Sequence, residues 1–288
     1  MNAGSEYLHY KKDVTPPRRR LPAGACDTHF HVFEEASVYP FATPRSYTPT
    51  PAPLNAYRAM AKAAGLDRAV LVHPSVYGRD HRSFEDTLAL CQGWMRGVAV
   101  VYPDTREEDI ERWHALGARG SRCNAVFAGG AALIDLLLVA DRVRSLGWHI
   151  QLLIDVEEDA TALARVADLG LPVVVDHFGH VSAQRALTGR GFANMLALVR
   201  EGRVWVKLSG AYRVSAQRRD HADVAPVAAA LLRANPARVL WGSDWPHPAI
   251  AAPMPDDGQL VDLLFDWCTD FELQQVLVEN PSNLYWAD

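Results

Sequence analysis

Four polar residues stand at the ends of segments that read as β-strands, and their types suit hydrolytic chemistry. His29 and His31 lie two apart in CDTHFHVF, His177 follows the apolar run VVVD, and Asp244 lies in GSDWPHP. Because alternate side chains of a strand share one face, the imidazoles of His29 and His31 can point at one atom. Imidazoles and a carboxylate can also bind a metal ion, and a carboxylate can take a proton from water. The four residues are therefore candidates for a reaction centre.

Each of these residues also has a purely structural interpretation. With 11 histidines in 288 residues, roughly 0.4 HxH pairs are expected by chance. A buried histidine can be satisfied by packing, and Asp244 could cap a turn or a helix. Packing alone does not readily place four suitable groups at the ends of strands one, six and eight, so the functional interpretation is favoured.

The elements that must position these residues recur along the chain. Eight short apolar or β-branched runs are each followed by a stretch whose apolar residues have helical spacing. Continuous apolar runs, such as residues 70–72 and 173–175, are typical of parallel strands covered on both faces. Eight such units, without a Gly-rich first turn, predict an α/β fold, a single-domain (β/α)8 TIM barrel. The predicted strands are residues 25–33, 68–74, 97–103, 117–124, 147–154, 171–177, 203–209 and 237–244.

The barrel is predicted to span residues 23–288, after an N-terminal extension of residues 1–22 that is rich in Pro and Arg. An insert at residues 34–53 follows strand one and is expected to lie over the C-terminal mouth of the barrel. Active sites of such barrels form at that end, from the loops that follow the strands.

Composition excludes several classes of partner. The formal net charge is -5 and no long basic run extends beyond residues 18–20, so no nucleic-acid partner is expected. Four widely spaced cysteines without a CxxC pair favour a reducing compartment. No signal peptide or membrane-spanning segment is recognised, so we expect a cytoplasmic protein without a membrane partner. The sequence leaves open whether the chain forms a homo-oligomer.

Seven motifs together carry a family resemblance. The segments CDTHFHVF, HPSVYG, GARGSRCN, VVVDHFGH, KLSGAYR, GSDWPHP and NPSNLYW run from strand one to the C-terminus. In this order they resemble the amidohydrolase superfamily, in the amidohydrolase-2 group that includes 2-pyrone-4,6-dicarboxylate hydrolases and sugar-acid lactonases. The resemblance implies a hydrolase that opens the lactone ring of a carboxylated small molecule. It also implies that Asp244 activates water beside His29, His31 and His177.

The resemblance further implies how the substrate is held. Arg122 and Arg213 are expected to bind its carboxylate through bidentate contacts, which lysine could not reproduce. Four other polar residues are expected to contact the substrate: Tyr47, Ser75, His73 and Asn124.

Two segments depart from the pattern of the dicarboxylate hydrolases. After Asn124 the chain reads AVFAGGAA, where a further basic residue is expected, and Leu153 stands about where a tyrosine is expected. These differences are compatible with lactonase chemistry on a different substrate.

The sequence leaves the cofactor open between no obligatory metal and a single divalent ion. His29, His31, His177 and Asp244 could bind one Zn²⁺. Alternatively, arginines in a dry pocket could stabilise a developing oxyanion without a metal. A two-metal site is not expected, because predicted strand four carries arginines, which repel a cation.

Two other functions remain open. The same four residues would serve a mononuclear Zn-dependent decarboxylase or amidohydrolase, which stoichiometric metal and chelator-sensitive activity would favour. A catalytically inactive barrel that binds an acidic metabolite is disfavoured, because all four central residues are present.

Overall fold

Eight parallel strands form the barrel in a computed structural model that describes residues 7–127, 131–251 and 253–287. Neighbouring strands pair in sequence order from β1 to β8. Their bounds are β1 Cys26–Phe30, β2 Arg68–Val72, β3 Met95–Ala99, β4 Ala118–Asn124, β5 His149–Leu153, β6 Val173–Val175, β7 Val204–Leu208 and β8 Val239–Trp241. The ends of the sheet meet where the Thr28 hydroxyl donates to the Trp241 carbonyl over 2.7 Å. The prediction of a single-domain (β/α)8 barrel is confirmed.

Helices follow the strands and cover the barrel. Their bounds are α1 Leu54–Ala64, α2 Arg82–Leu90, α3 Glu107–Ala115, α4 Leu136–Val143, α5 Ala162–Ala167, α6 Ala183–Ala186, α7 Arg190–Arg200, α8 Ala211–Val214, α9 Ala225–Ala234, α10 Asp257–Trp267, α11 Asp270–Gln274 and α12 Asn280–Tyr285. A π-helical turn, Gln275–Glu279, joins α11 to α12. Helix α1 shows the general pattern: its buried residues are spaced three and four apart, so that one face packs on the barrel.

The apolar side chains form two layers on either side of the strands. A smaller cluster includes Val70, Val72, Val98 and Val174, and Tyr285 of α12 packs into it. The larger cluster joins the other face of the strands to the helices. Burial on both faces explains the continuous apolar runs of the strand sequences.

Several strands are shorter than their sequence patterns predict. The ladder of β3 ends at Ala99, that of β6 at Val175 and that of β8 at Trp241. The backbone then enters the left-handed region at His177, with φ 51°, and at Asp244, with φ 62°. A left-handed residue cannot continue a strand, so the predicted ends at residues 177 and 244 were wrong.

Two segments outside the βα units pack at the C-terminal end of the barrel. In the insert, Tyr47 is buried, and its ring centroid lies 5.7 Å from that of Phe127. In the N-terminal extension, Leu8 donates its backbone N–H to the Ile250 carbonyl, and the Tyr10 ring lies 5.0 Å from that of Trp245. Residues 1–6 lie outside the described part, and the boundary at residue 22 stays a prediction.

No helix within the described residues has the length and apolar character needed to cross a membrane. The four cysteines are free and buried: Cys26, Cys91, Cys123 and Cys268.

Asn280 ties the C-terminal helix to the last strand of the barrel. Its Nδ2 donates to the carbonyl oxygens of Pro236 and Val239, over 2.8 and 2.7 Å. We expect Asn280→Ala to lower the free energy of unfolding by about 2 kcal/mol, because two buried carbonyls lose their donor. Asn283→Ala is the matched control, since Asn283 lies exposed in the same helix. Equal unfolding midpoints of the two variants in urea would contradict this assignment.

Candidate active site

Four buried side chains converge at the C-terminal end of the barrel. The Oδ1 atom of Asp244 lies 3.8 Å from Nε2 of His29 and 3.9 Å from Nε2 of both His31 and His177. None of the four residues is more than 3% exposed. The structure therefore brings together the residues that the sequence singled out, while their catalytic roles stay predictions.

The opposite nitrogens of His29 and His31 are fixed by hydrogen-bond acceptors. His29 Nδ1 lies 3.1 Å from Oδ1 of Asp176, and His31 Nδ1 lies 2.8 Å from the carbonyl oxygen of Val72. A carbonyl and an ionised carboxylate can only accept, so each Nδ1 carries the proton. The lone pairs on both Nε2 atoms therefore face Asp244, the arrangement found where histidines bind metals.

His177 is held in the same way by the strand next to it. Its Nδ1 lies 2.8 Å from the hydroxyl oxygen of Ser209, which directly follows β7. Gly210 comes next with φ 63°, and a Cβ there would lie 3.1 Å from the His177 ring. Because Gly210 has no Cβ, the His177 ring fits beside it without crowding.

The backbone itself is shaped around this cluster. His177 and Asp244 adopt left-handed conformations, which cost non-glycine residues about 1–3 kcal/mol and are concentrated at functional sites. The backbone N–H of Asp244 donates to the His29 carbonyl over 2.8 Å. At Gly242 a Cβ would lie 2.6 Å from the Cβ of His29, so only glycine lets the segment after β8 pass so close to β1.

The second oxygen of Asp244 is occupied by two donors. Nε of Arg213 and the hydroxyl of Tyr212, at 2.6 Å, both donate to Oδ2. Burial alone would raise the pKa of Asp244, but the charge of Arg213, together with the facing rings of His177 and His29, holds it well below its usual value. Asp244 is thus an ionised carboxylate whose Oδ1 alone faces the histidines.

A second buried carboxylate lies behind His29. Besides the His29 ring, Asp176 accepts from Nε of Arg122 at 3.0 Å and from Nε2 of Gln151 at 3.1 Å, and Nζ of Lys207 lies 3.6 Å away. Burial would raise its pKa, but the His29 ring that donates to it and the charges of Lys207 and Arg122 hold it well below the usual value. Asp176 is therefore ionised and fixes the proton on His29 Nδ1.

Sequence reasoning assigned no role to Asp176, Lys207 or Tyr212. Lys207 is fully buried in β7 and donates to the Thr28 carbonyl at 2.8 Å and to Gln151 Oε1 at 2.7 Å. Burial lowers its pKa to about 8. The sequence did contain a signal for two of these residues. Asp176 and Lys207 are charged residues within or directly after otherwise apolar strands, where an unpaired charge is costly.

Four of the six residues expected to bind the substrate lie beside the cluster, namely Tyr47, Ser75, Arg122 and Arg213. The Tyr47 hydroxyl lies next to Ser75, and burial raises the pKa of Tyr47 while the charges of Arg122 and Arg213 oppose this. Arg122 is 5% exposed and uses its Nε for Asp176. By contrast, Arg213 has its Nε on Asp244 and its Nη2 on the carbonyl of Pro248, so two of its nitrogens already have partners.

The other two, His73 and Asn124, make structural contacts in loops. The His73 ring stacks on His81 at 3.9 Å, and its Nε2 lies 3.0 Å from the Gly78 carbonyl. Oδ1 of Asn124 accepts from two backbone N–H groups of the following turn, each over 2.9 Å. Their roles toward a substrate stay predictions.

The two departures from the dicarboxylate hydrolase pattern fall on the neighbouring strands. Leu153 is buried as the last residue of β5. In the segment AVFAGGAA, residues 128–130 lie outside the described part of the chain.

An open groove lies beside the cluster, with a volume of about 990 Å³. Tyr212 lines it, together with residues of the N-terminal extension and of α10. Because the Tyr212 hydroxyl also bonds Asp244, this side chain stands between the groove and the buried carboxylate.

Comparison with known proteins gives the family. The chain matches the Amidohydrolase family over residues 26–286, and it belongs to that family. It is 35% identical to a 2-pyrone-4,6-dicarboxylate hydrolase of Comamonas testosteroni, over 98% of this chain and 96% of the relative. It is 33% identical to a 4-sulfomuconolactone hydrolase of Hydrogenophaga intermedia, over 94% and 92% of the two chains. The predicted class, an amidohydrolase-type hydrolase with lactonase relatives, is confirmed.

Solved structures support the same fold. An Agrobacterium tumefaciens protein, solved in its apo form, superposes with a TM-score of 0.84 at 27% identity. The match covers 94% of this chain and 99% of that chain.

The buried histidines make the stability of the protein depend on pH. Burial lowers the pKa of His31 and His81 to about 4 and that of His149 and His177 to about 3, from a usual 6.5. As the pH falls from 6.5 toward 4, the unfolded chain binds protons that the folded protein does not. The free energy of unfolding therefore decreases over this range. Asp27, whose pKa burial raises to about 6, offsets only one of these protons.

We expect the melting temperature to fall by at least about 5 °C between pH 7 and pH 5. Differential scanning calorimetry in buffers of matched ionic strength measures this. A melting temperature that stays constant or rises across this interval would show that the histidines are not neutral in the folded protein.

Proposed function

We propose that this enzyme opens the lactone ring of a carboxylated small molecule, similar to 2-pyrone-4,6-dicarboxylate or to a sugar-acid lactone. The observation that carries the proposal is the convergence of three Nε2 atoms on Oδ1 of Asp244, while Arg213 and Tyr212 occupy Oδ2. The substrate class is supported by the relatives, which are named as lactone hydrolases.

In the proposed reaction, Oδ1 of Asp244 takes a proton from water, and the oxygen of that water attacks the lactone carbonyl carbon. The tetrahedral intermediate then collapses with cleavage of the ring C–O bond, and the protonated Asp244 returns its proton to the leaving oxygen. A carboxylate with a lowered pKa is a weak base but, once protonated, a strong acid. The structure therefore suits proton return well, and water activation needs nearby positive charge.

The two arginines have different partners in this scheme. The terminal nitrogens of Arg122 hold the substrate carboxylate, because its Nε is committed to Asp176. Tyr47 and Ser75 lie next to each other and supply further polar contacts to the substrate. Arg213 donates its Nε to the carboxylate of Asp244, and its expected contact with a carboxylate of the substrate stays a prediction.

The cluster also fits one divalent metal ion. His29, His177 and Asp244 each offer a ligand atom, and these atoms lie within 4.8 Å of one another. Nε2 of His29 is buried without a hydrogen-bond partner in the described residues. Imidazole nitrogens with one carboxylate are a donor set that Zn²⁺ prefers. When bound, Zn²⁺ would polarise the carbonyl and acidify water. The buried charges of Arg122 and Lys207 disfavour a second ion nearby.

Zinc binding can be measured without any substrate. After removal of metals with a chelator, we expect the protein to bind about one Zn²⁺ per chain by isothermal titration calorimetry, and its melting temperature to rise. Asp244→Asn should weaken this binding, and Asp168→Asn, an exposed carboxylate paired with Arg203, should not. Absence of binding, together with turnover that resists chelation, would instead support the metal-free route.

The proposed role of Asp244 is tested on a panel of carboxylated lactones with a pH indicator. Asp244→Asn should lower kcat about 1000-fold, because the amide cannot accept the proton. Asp168→Asn is the control for a change of charge, and far-ultraviolet circular dichroism checks that the fold is intact. Wild-type rates from Asp244→Asn would remove the proposal. Release of CO₂ rather than acid would favour the decarboxylase alternative.

A further inference from the structure

The hydroxyl of Tyr212 links Asp244 to two further buried residues. Besides donating to Oδ2 of Asp244 at 2.6 Å, this hydroxyl lies 3.1 Å from Nδ1 of His247. On the far side of the ring, Nε2 of His247 lies 3.2 Å from Oδ1 of Asp257. His247 is 1% exposed and Asp257 is 2% exposed. A continuous row of polar atoms therefore runs from Asp244 to the first residue of α10.

Three separate elements supply this row. Tyr212 lies in the short helix α8 after β7, His247 lies in the turn after β8, and Asp257 opens α10. His247 has a left-handed backbone with φ 61°, which is unfavourable for a non-glycine residue. Its ring and that of Tyr212 meet edge to face, with centroids 5.2 Å apart. Such a conformation persists only where the surroundings fix it, so the placement of the His247 ring is specific.

The direction of each hydrogen bond follows from counting protons. Ionised Asp244 can only accept, so the single proton of the Tyr212 hydroxyl points to it. The phenol oxygen can then only accept from His247, whose Nδ1 must carry a proton. Nε2 of His247 lies 3.2 Å from Oδ1 of Asp257, and neither atom has a hydrogen bond within the described residues. His247 therefore donates from Nδ1 to the phenol oxygen, and its other nitrogen lies against the Asp257 carboxylate.

We propose that His247 and Asp257 are positioning residues, which hold the Tyr212 hydroxyl so that Oδ2 of Asp244 stays occupied and Oδ1 alone faces the reacting water. This inference rests on the proposed function for its kinetic consequence. The row of polar atoms itself does not depend on it.

The position of Tyr212 explains why such support is needed. Tyr212 lines the open groove, so there is space beside its ring into which the side chain could turn. Arg213, the other donor to Oδ2, is anchored separately by its Nη2 on the Pro248 carbonyl at 3.0 Å. Among the described residues, the Tyr212 hydroxyl has His247 as its second hydrogen-bond partner. Without this contact the phenol could turn toward the groove, and Asp244 could rotate away from the histidines.

The kinetic test compares single and double variants on the lactone that the wild-type protein hydrolyses. Tyr212→Phe and His247→Gln should each lower kcat about 10- to 100-fold and leave KM within about 3-fold, because neither side chain binds the substrate. The double variant should be no slower than Tyr212→Phe alone, since His247 acts only through the hydroxyl. Multiplying losses, or a change confined to KM, would overturn the proposal.

Two further variants separate positioning from general damage. Asp257→Asn keeps an oxygen acceptor for His247 and should retain more activity than Asp257→Ala. Tyr39→Phe is the matched control, because the Tyr39 hydroxyl also donates to a carboxylate, that of Asp86 at 2.8 Å, away from the cluster. It should leave kcat unchanged. Equal losses in both Asp257 variants would count against the row.

A spectroscopic measurement on the wild-type protein needs no substrate and no folded variant of Tyr212. In protein labelled with ¹⁵N-histidine, we expect Nδ1 of the His247 ring to carry a proton, with assignment from His247→Gln. An unprotonated Nδ1 would overturn the row even if the enzyme hydrolyses lactones. A protonated Nδ1 in a protein that hydrolyses none would leave the row standing and remove only the proposed function.

Discussion

The site is organised around a carboxylate that stays ionised although it is almost completely buried. Burial opposes the charge of Asp244, and Arg213 offsets this penalty through a direct hydrogen bond. Three histidines surround the other oxygen and are kept neutral by their own burial, and the Nε2 atoms of His29 and His31 offer lone pairs because their protons lie on Nδ1. The negative charge and the unshared electron pairs therefore meet at one point, where a water, a carbonyl or a metal ion can be held.

A second ionised carboxylate, Asp176, lies behind His29 and supports the cluster. Asp176 is surrounded by Arg122 and Lys207 and fixes the ring of His29, while Asp244 faces the space where chemistry would take place. Each carboxylate has its own cationic partners, so both can stay ionised in the same buried site. This division explains why arginine and lysine are buried in a site that also suits a cation: their charge is used by Asp176.

Eight recurring βα units were enough to predict the barrel. Polar residues close to the strand ends were enough to predict that the four central side chains lie together, because parallel strands bring their ends to one side. Contacts between distant strands could not be predicted in this way. The pairing of Asp176 with Lys207 and the contact of Arg213 with Asp244 join side chains from segments far apart in the chain, so no local pattern reveals them. Asn124 likewise closes a local turn, a contact that depends on the path of the loop after β4.

A crystal structure of the Asp244→Asn variant with a carboxylated lactone bound tests the proposed mechanism most directly. The lactone carbonyl should lie against the Nε2 atoms of His29 and His177, with the attacking water about 3–3.5 Å from the carbonyl carbon. The substrate carboxylate should lie on the terminal nitrogens of Arg122. A lactone bound in the outer groove, or with its carbonyl turned away from the histidines, would contradict the account.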